Sequence, residues 1–345
     1  MTVVKVLIVD DSCVMRRLIR LALAKDTRLK VVGEANNPIE ARSVIKACNP
    51  DVLLLDIEMP RMSGLEFLGL LMRLRPMPVV MFSSLTRSSR EATINALSLG
   101  AVDCIEKPSA ESGNTLERLP DSLVAAAGAD IVALHRRSKI AQKVEPFCWN
   151  GKPVLIGAST GGVDALQKVF SPWPDNCPPT LVTQHMPENF LRSLANRLDD
   201  QLEMTVRVAG NGDEVRQGEV VICPGGKFHM ELVSATPTCV RLIEGPRVSG
   251  HRPSVDVMMR SAKAFAPRCV AIILTGMGRD GAQGLYELHK NGAETIGQDE
   301  ASSVVYGMPK VAFDLGGVKQ QMSVDSIGNA ILEACRTKRR SVVDS

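Results

Sequence analysis

The stretch VLIGASTGGVDAL, residues 154–166, places a serine between glycines where an apolar run gives way to a helical pattern. Residues 154–156 have the unbroken apolar character of a short buried strand, and from Val163 onward the period is helical. Ser159 falls on the turn between them, inside Gly157-Ala158-Ser159-Thr160-Gly161, a G-x-S-x-G spacing. The glycines allow a turn too sharp for side chains, and the serine oxygen is pushed out at the strand end. Backbone N–H groups at the start of the next helix can receive negative charge there. A nucleophile suits such a turn, and so does a bound phosphate. The five residues alone do not choose between them.

The whole chain narrows the choice. Its 345 residues suffice for two domains with separate cores. With 41 basic and 38 acidic residues it is nearly balanced, which speaks against nucleic acid as the main partner. No apolar run approaches the ~20 residues of a membrane span, so the chain is not expected to be membrane-embedded. The start, MTVVKVLIVDD, enters a strand pattern at once and lacks a signal peptide's apolar region and cleavage site. Nine scattered cysteines, with no C-x-x-C pair, suggest reduced buried thiols and a cytoplasmic location.

Before the serine turn lies a complete α/β pattern. Apolar runs at 4–9, 30–35, 51–57, 78–83 and 101–106 alternate with helix-length segments. This predicts a doubly wound parallel sheet of five strands. A fifth helix is expected over 119–137. Residues 138–152, charged and carrying a proline, read as a linker. After the linker a second α/β pattern of Rossmann-like character follows, with strands expected at 180–183, 220–222, 240–243 and 269–274. Helices are expected near 163–170, 187–199, 254–265 and 281–290. The domains so drawn are 1–120 (the last helix extending to about 137) and 153–340.

In the first pattern Asp10-Asp11 end the first strand and Asp56 the third. C-terminal strand ends meet at one edge of a doubly wound sheet. Three converging carboxylates repel one another, and a hard cation such as Mg²⁺ offsets this. Ser83 ends the fourth strand and Lys107-Pro108 the fifth. The set suits phosphoryl transfer onto Asp56, with metal and lysine holding the phosphoryl oxygens. A single acidic strand end is ordinarily a solvated loop residue; the combination is what carries the reading.

With VDDS, LLDIEMPRMSG, FSS and EKP in these places, residues 1–120 resemble a response-regulator receiver domain. The resemblance implies phosphorylation of Asp56 by a histidine kinase, Mg²⁺ held by Asp10, Asp11 and Asp56, and sensing of the phosphoryl group by Ser83 and Lys107. Cys104 stands where receivers often carry an aromatic residue.

For Ser159 a base is needed, most often histidine. Of the five histidines, His135 and His289 lie on helical patterns and are expected at the surface. His229 is a strand or rim residue. His251 lies in a loop suited to substrate contact. His185 ends the run TLVTQ, on the same edge as Ser159. Asp280, after the buried run VAIILTGMG, supplies the orienting acid. The resulting order Ser…His…Asp differs from the Ser…Asp…His of α/β-hydrolases. The dinucleotide alternative weakens, because GASTGG is not G-x-G-x-x-G and His185 stands where an acidic residue would end the following strand, and a P-loop is excluded because no G-K-[ST] follows.

The stretches IGASTGG, TQHMP, CPGGKFHM, HRPSVDVMMRSA, LTGMGRDG and TIGQDEASSVVYGMPK resemble the CheB family of chemotaxis protein-glutamate methylesterases. The resemblance implies a serine esterase with Ser159 as nucleophile, His185 as base and Asp280 as orienter, and no cofactor for that reaction. Thr160 and Met277 are the oxyanion-hole candidates. Its substrate would be glutamate methyl esters, and glutamines, on the cytoplasmic helices of methyl-accepting chemoreceptors. A chemotaxis histidine kinase would be the phosphodonor, and the first domain would gate the second. A phosphorylation-controlled binding module with an idle esterase site is the alternative.

Overall fold

The computed structural model of the chain describes residues 3–84, 92–93, 95–97, 99–108, 115–129 and 147–337. Two compact units divide it, Met1–Arg136 and Arg137–Ser345.

In the first unit the strands are β1 (Val4–Val9), β2 (Leu29–Ala35), β3 (Val52–Asp56), β4 (Val79–Ser83) and β5 (Asp103–Glu106). They form one parallel sheet in the order β2-β1-β3-β4-β5. Every residue of β3 and β4 is buried, as parallel strands covered on both faces require. The helices are α1 (Cys13–Leu23), α2 (Pro38–Cys48), α3 (Gly64–Leu74) and α4 (Leu119–Ala127). Local chemistry sets their starts. Asn37 caps α2 and Pro38 opens it, while Ser63 and Glu66 form a capping box on α3. The strand order reverses between β1 and β3, so this sheet's switch point lies between the ends carrying Asp10 and Asp56. The described part of the helix expected over 119–137 ends at Ala127, and residues 130–146, with His135 and most of the expected linker, lie outside the described residues.

The second unit holds a seven-stranded sheet in the order β15-β14-β13-β6-β7-β10-β8, every pair parallel. Its strands are β6 (Val154–Ala158), β7 (Thr180–Gln184), β8 (Thr205–Val208), β10 (Glu219–Ile222), β13 (Val270–Ile273), β14 (Glu294–Gln298) and β15 (Gln320–Met322). The chain runs outward from β6 to β7 and later returns on the other side at β13. A second switch point therefore opens at the C-terminal ends of β6 and β13. Helices α5 (Gly162–Phe170), α6 (Glu188–Gln201), α7 (Val255–Ser261), α8 (Ala282–Lys290), α9 (Met308–Asp314) and α10 (Val324–Ala334) accompany the sheet. Leu155, Leu181, Val221, Met258, Met259, Ile273 and Leu285 belong to the core beneath it.

Three features of this unit differ from expectation. A small antiparallel sheet, β11-β12-β9, joins β9 (Glu214–Val215), β11 (Phe228–Ala235) and β12 (Thr238–Glu244). The helix expected over 254–265 ends at Ser261, and a 3₁₀ segment with Pro267 inside follows at Lys263–Arg268. Residues 147–152, read as linker, pack into the unit. Phe147 is buried, and Asn150 N–H donates to the Cys335 carbonyl at 2.8 Å.

Candidate active site and phosphoacceptor pocket

Strand register brings the serine and histidine together. Ala158 on β6 pairs with Gln184 on β7, and His185 N–H donates to the Ala158 carbonyl at 3.0 Å. Ser159 and His185 are thus the next residues on adjacent strands, at the spacing of neighbouring strands. The buried Gln184 amide ties them, donating to the Ser159 carbonyl at 2.9 Å and the His185 carbonyl at 3.2 Å. From β13's side, Ser159 N–H donates to the Thr275 carbonyl at 3.0 Å. Gly276 must lack a side chain, because a Cβ there would lie 2.5 Å from the Ser159 Cβ.

Asp280, fully buried, accepts from His185 Nε2 at 2.7 Å. Facing a carboxylate, Nε2 carries the proton, which leaves Nδ1 as the basic nitrogen. Nδ1 is buried and has no hydrogen-bond partner among the described residues. No Ser159 Oγ–His185 Nδ1 hydrogen bond is made here; the histidine–aspartate pair is formed, and Ser159 follows the adjacent strand. Such bonds commonly tighten only when substrate is bound. Asp280 also accepts from Ser254 Oγ at 2.8 Å, Val255 N–H at 2.7 Å and Asp256 N–H at 3.2 Å. Burial by itself would raise its pKa. The bonds from His185, Ser254 and Val255 outweigh burial and hold the carboxyl below its ordinary value. Asp256 shows the opposite balance, with burial pushing its carboxyl upward. The ring of His251 stacks on His185, centroids 3.7 Å apart and planes 4° apart. Thr160 is buried and Met277 half-buried, and neither backbone N–H has a protein acceptor among the described residues.

In the first unit, Lys107 Nζ lies 2.8 Å from Asp56 Oδ2 and 3.0 Å from Asp10 Oδ2. Its place is set by Lys107 N–H donating to the Ser83 carbonyl at 2.8 Å. Burial pushes the Asp56 carboxyl up to about 6 despite the lysine. Oxygens of Asp10, Asp11 and Asp56 all lie within 4.8 Å of one another, with Asp10 and Asp56 buried and Asp11 exposed. Three hard oxygen donors around one lysine fit Mg²⁺. Ser83 Oγ is buried and donates to the Ser84 carbonyl at 3.1 Å, not to Asp56. Cys104 Sγ contacts Thr93 Oγ1 at 3.6 Å.

Residues 154–331 match the model of the CheB methylesterase family, and residues 6–117 match that of the response regulator receiver domain. A Caulobacter vibrioides protein-glutamate methylesterase/protein-glutamine glutaminase 1 is 48% identical, over 98% of this chain and all of that protein. One from Agrobacterium fabrum is 46% identical over 97% of each chain. The crystal structure of the Thermotoga maritima CheB methylesterase catalytic domain covers 54% of this chain and 99% of its own, at 36% identity and a TM-score of 0.51. The chain belongs to the CheB methylesterase family.

Within this CheB-family chain the expected residues gather as two sets. Ser159, His185 and Asp280, with Thr160 and Met277 on the flanking turns, line the second switch point, and Asp10, Asp11, Asp56 and Lys107 line the first. His289 is half-buried, not a surface residue, its Nδ1 3.2 Å from Thr295 Oγ1. Cys13 and Cys148 are exposed, whereas burial pushes the thiols of Cys177, Cys223, Cys269 and Cys335 up to about 12; all nine cysteines are free. Ser254 and Gln184 were not among the residues expected from the sequence. Ser254 announces itself only as a generic helix cap, and Gln184 as one polar residue after an apolar run. No helix among the described residues is long and apolar enough to cross a membrane.

Proposed function

We propose that the chain is a cytoplasmic, phosphorylation-activated serine esterase that demethylates glutamate methyl esters, and deamidates glutamines, on the cytoplasmic helices of methyl-accepting chemoreceptors. The observation that carries this is the 2.7 Å His185–Asp280 bond, which leaves a basic Nδ1 unpartnered beside Ser159. His185 Nδ1 takes the Ser159 proton as Oγ attacks the ester carbonyl. Asp280 stabilises the imidazolium so formed. The tetrahedral oxyanion is received by the N–H groups of Thr160 and Met277; a donor of this kind is worth about 10²–10³ in rate. His185 returns the proton to the leaving oxygen, and methanol departs from the glutamyl-enzyme. Water, deprotonated by the same nitrogen, then releases glutamate and restores Ser159. With a glutamine substrate the leaving group is ammonia.

In the receiver, Asp56 accepts the phosphoryl group from a chemotaxis histidine kinase. Asp10, Asp11 and Asp56 would hold Mg²⁺, which neutralises charge on the transferring group. Lys107 binds a phosphoryl oxygen, and Ser83, on turning from the Ser84 carbonyl, binds another. Methyl-labelled receptor tests the whole reading. The intact chain releases methanol, release rises with a small-molecule phosphodonor and Mg²⁺, and Ser159→Ala abolishes it. A Ser159→Ala protein that still releases methanol rejects Ser159 as the nucleophile, and equal rates with and without phosphodonor reject the activation.

A further inference from the structure

His229 takes no part in the steps above, yet its ring is buried and both its nitrogens are engaged. Nδ1 accepts from the Ser254 backbone N–H at 3.1 Å, and Nε2 lies 2.9 Å from the Pro246 carbonyl. An amide donor on one side and a carbonyl acceptor on the other allow one state, the neutral ring with its proton on Nε2. Ser254 is the residue so held. Its own Oγ donates to Asp280 Oδ1, and the N–H groups of the two residues after it complete the Asp280 shell. A chain of bonds therefore runs from Pro246 through His229, Ser254 and Asp280 to His185. It begins on β11, where His229 pairs with Ile243 of β12. Arg252 braces the same loop, donating to the Gly226 and Gly245 carbonyls, each at 2.6 Å. The antiparallel sheet, which contributes no catalytic side chain, thereby fixes the loop that shapes the aspartate's surroundings.

We infer that His229 is a positioning residue of the esterase, its Nδ1 holding Ser254 so that Asp280 keeps His185 in the tautomer that can take the serine proton. The inference rests on the triad proposed above. A displacement of about 1 Å in such a support costs up to about 10²-fold in turnover.

The two ring bonds can be separated by substitution. His229→Asn keeps an acceptor oxygen at the Nδ1 place and loses the donor to Pro246. His229→Gln keeps a donor at the Nε2 place and loses the acceptor for Ser254. With the full chain and methyl-labelled receptor, His229→Asn is expected to hold kcat within about 3-fold of wild type, and His229→Gln to lose at least about 10-fold with KM unchanged. Both lose one buried bond, so a merely structural role would make the two variants alike. Equal kcat in the two, or a larger loss in His229→Asn, overturns the inference. Ser254→Ala tests the same link without touching β11: a kcat loss of about 5-fold or more at unchanged KM is expected, and an unchanged kcat overturns it. Ser159→Ala, run alongside, separates the two readings. If it stays active the triad reading fails, whereas an inactive Ser159→Ala with indifferent His229 variants removes only the positioning role.

Discussion

Asp280 is a buried carboxylate that accepts four hydrogen bonds, from His185, Ser254, Val255 and Asp256. An asparagine there offers one acceptor oxygen and turns an N–H toward groups that are themselves donors. His185 then has reason to present its bare nitrogen to position 280 and its N–H to Ser159, the wrong tautomer for a base. Asp280→Asn is expected to lower kcat by about 10²–10⁴ with little change in KM, read as methanol release. The same carboxyl carries a pH signature. Its folded pKa lies below its unfolded value of about 3.9, so its stabilisation is complete above that value. It is lost as pH falls through the lower folded pKa. Urea midpoints of wild type and Asp280→Asn should therefore differ most at pH 5–7 and converge on going below about pH 4. A gap that persists unchanged at pH 3 would mean the bonds do not depend on the ionised form.

At the scale of elements, the start of α3 decides whether Asp56, the proposed phosphoacceptor, keeps its place. A Cβ on Gly64 would lie 1.8 Å from the Asp56 carbonyl oxygen, which only a shift of β3 or of the helix can relieve. Gly69, five residues on in the same helix, has nothing within 4 Å of its Cβ position. Gly64→Ala should cut phosphorylation of Asp56 by at least about 10-fold, since misplacing a reacting group by about 1 Å costs that much or more. Gly69→Ala should leave phosphorylation unchanged and stabilise the receiver by about 0.5–1 kcal/mol, seen as a higher urea midpoint. Elements like these differ in how plainly the chain announces them. β1, β3, β4, β6 and β7 were legible because each holds an apolar run, as strands covered on both faces favour, and the residues at or just past their ends are Asp10, Asp56, Ser83, Ser159 and His185. β14 was not, because ETIGQ is polar by composition although four of its five residues are buried. Gln298 at its end is satisfied by the Thr275 N–H and the Ser302 carbonyl, partners that no local pattern reveals. Ser254 reaches Asp280 across 26 residues and His185 reaches it across 95, so the histidine was found only because both residues follow strands of one sheet, while the serine sits on a helix start and gave no such sign.

Across the whole molecule, the segment read as a connector has two parts, and its second part belongs to the esterase. Phe147 is buried and its carbonyl accepts from Asn176 Nδ2 at 3.0 Å. Trp149 bridges to Arg336, and the Asn150 side-chain amide donates to the Ala334 carbonyl at 3.0 Å. Thr337 N–H returns to the Cys148 carbonyl at 2.8 Å. Residues 147–152 thus form a short strap against the C-terminal end of α10, next to where β6 enters the sheet. Burial of one phenylalanine is worth about 1.5–3 kcal/mol and each net hydrogen bond about 1 kcal/mol. A fragment of residues 153–345 should therefore be less stable than one of residues 147–345 by at least about 3 kcal/mol in urea unfolding. At a temperature where both are folded their kcat should agree, because the strap precedes the N-terminal end of β6 whereas Ser159 follows its C-terminal end. Equal urea midpoints would make residues 147–152 a tether and nothing more; unequal kcat in the folded fragments would show that the strap supports the sheet edge on which the nucleophile turns.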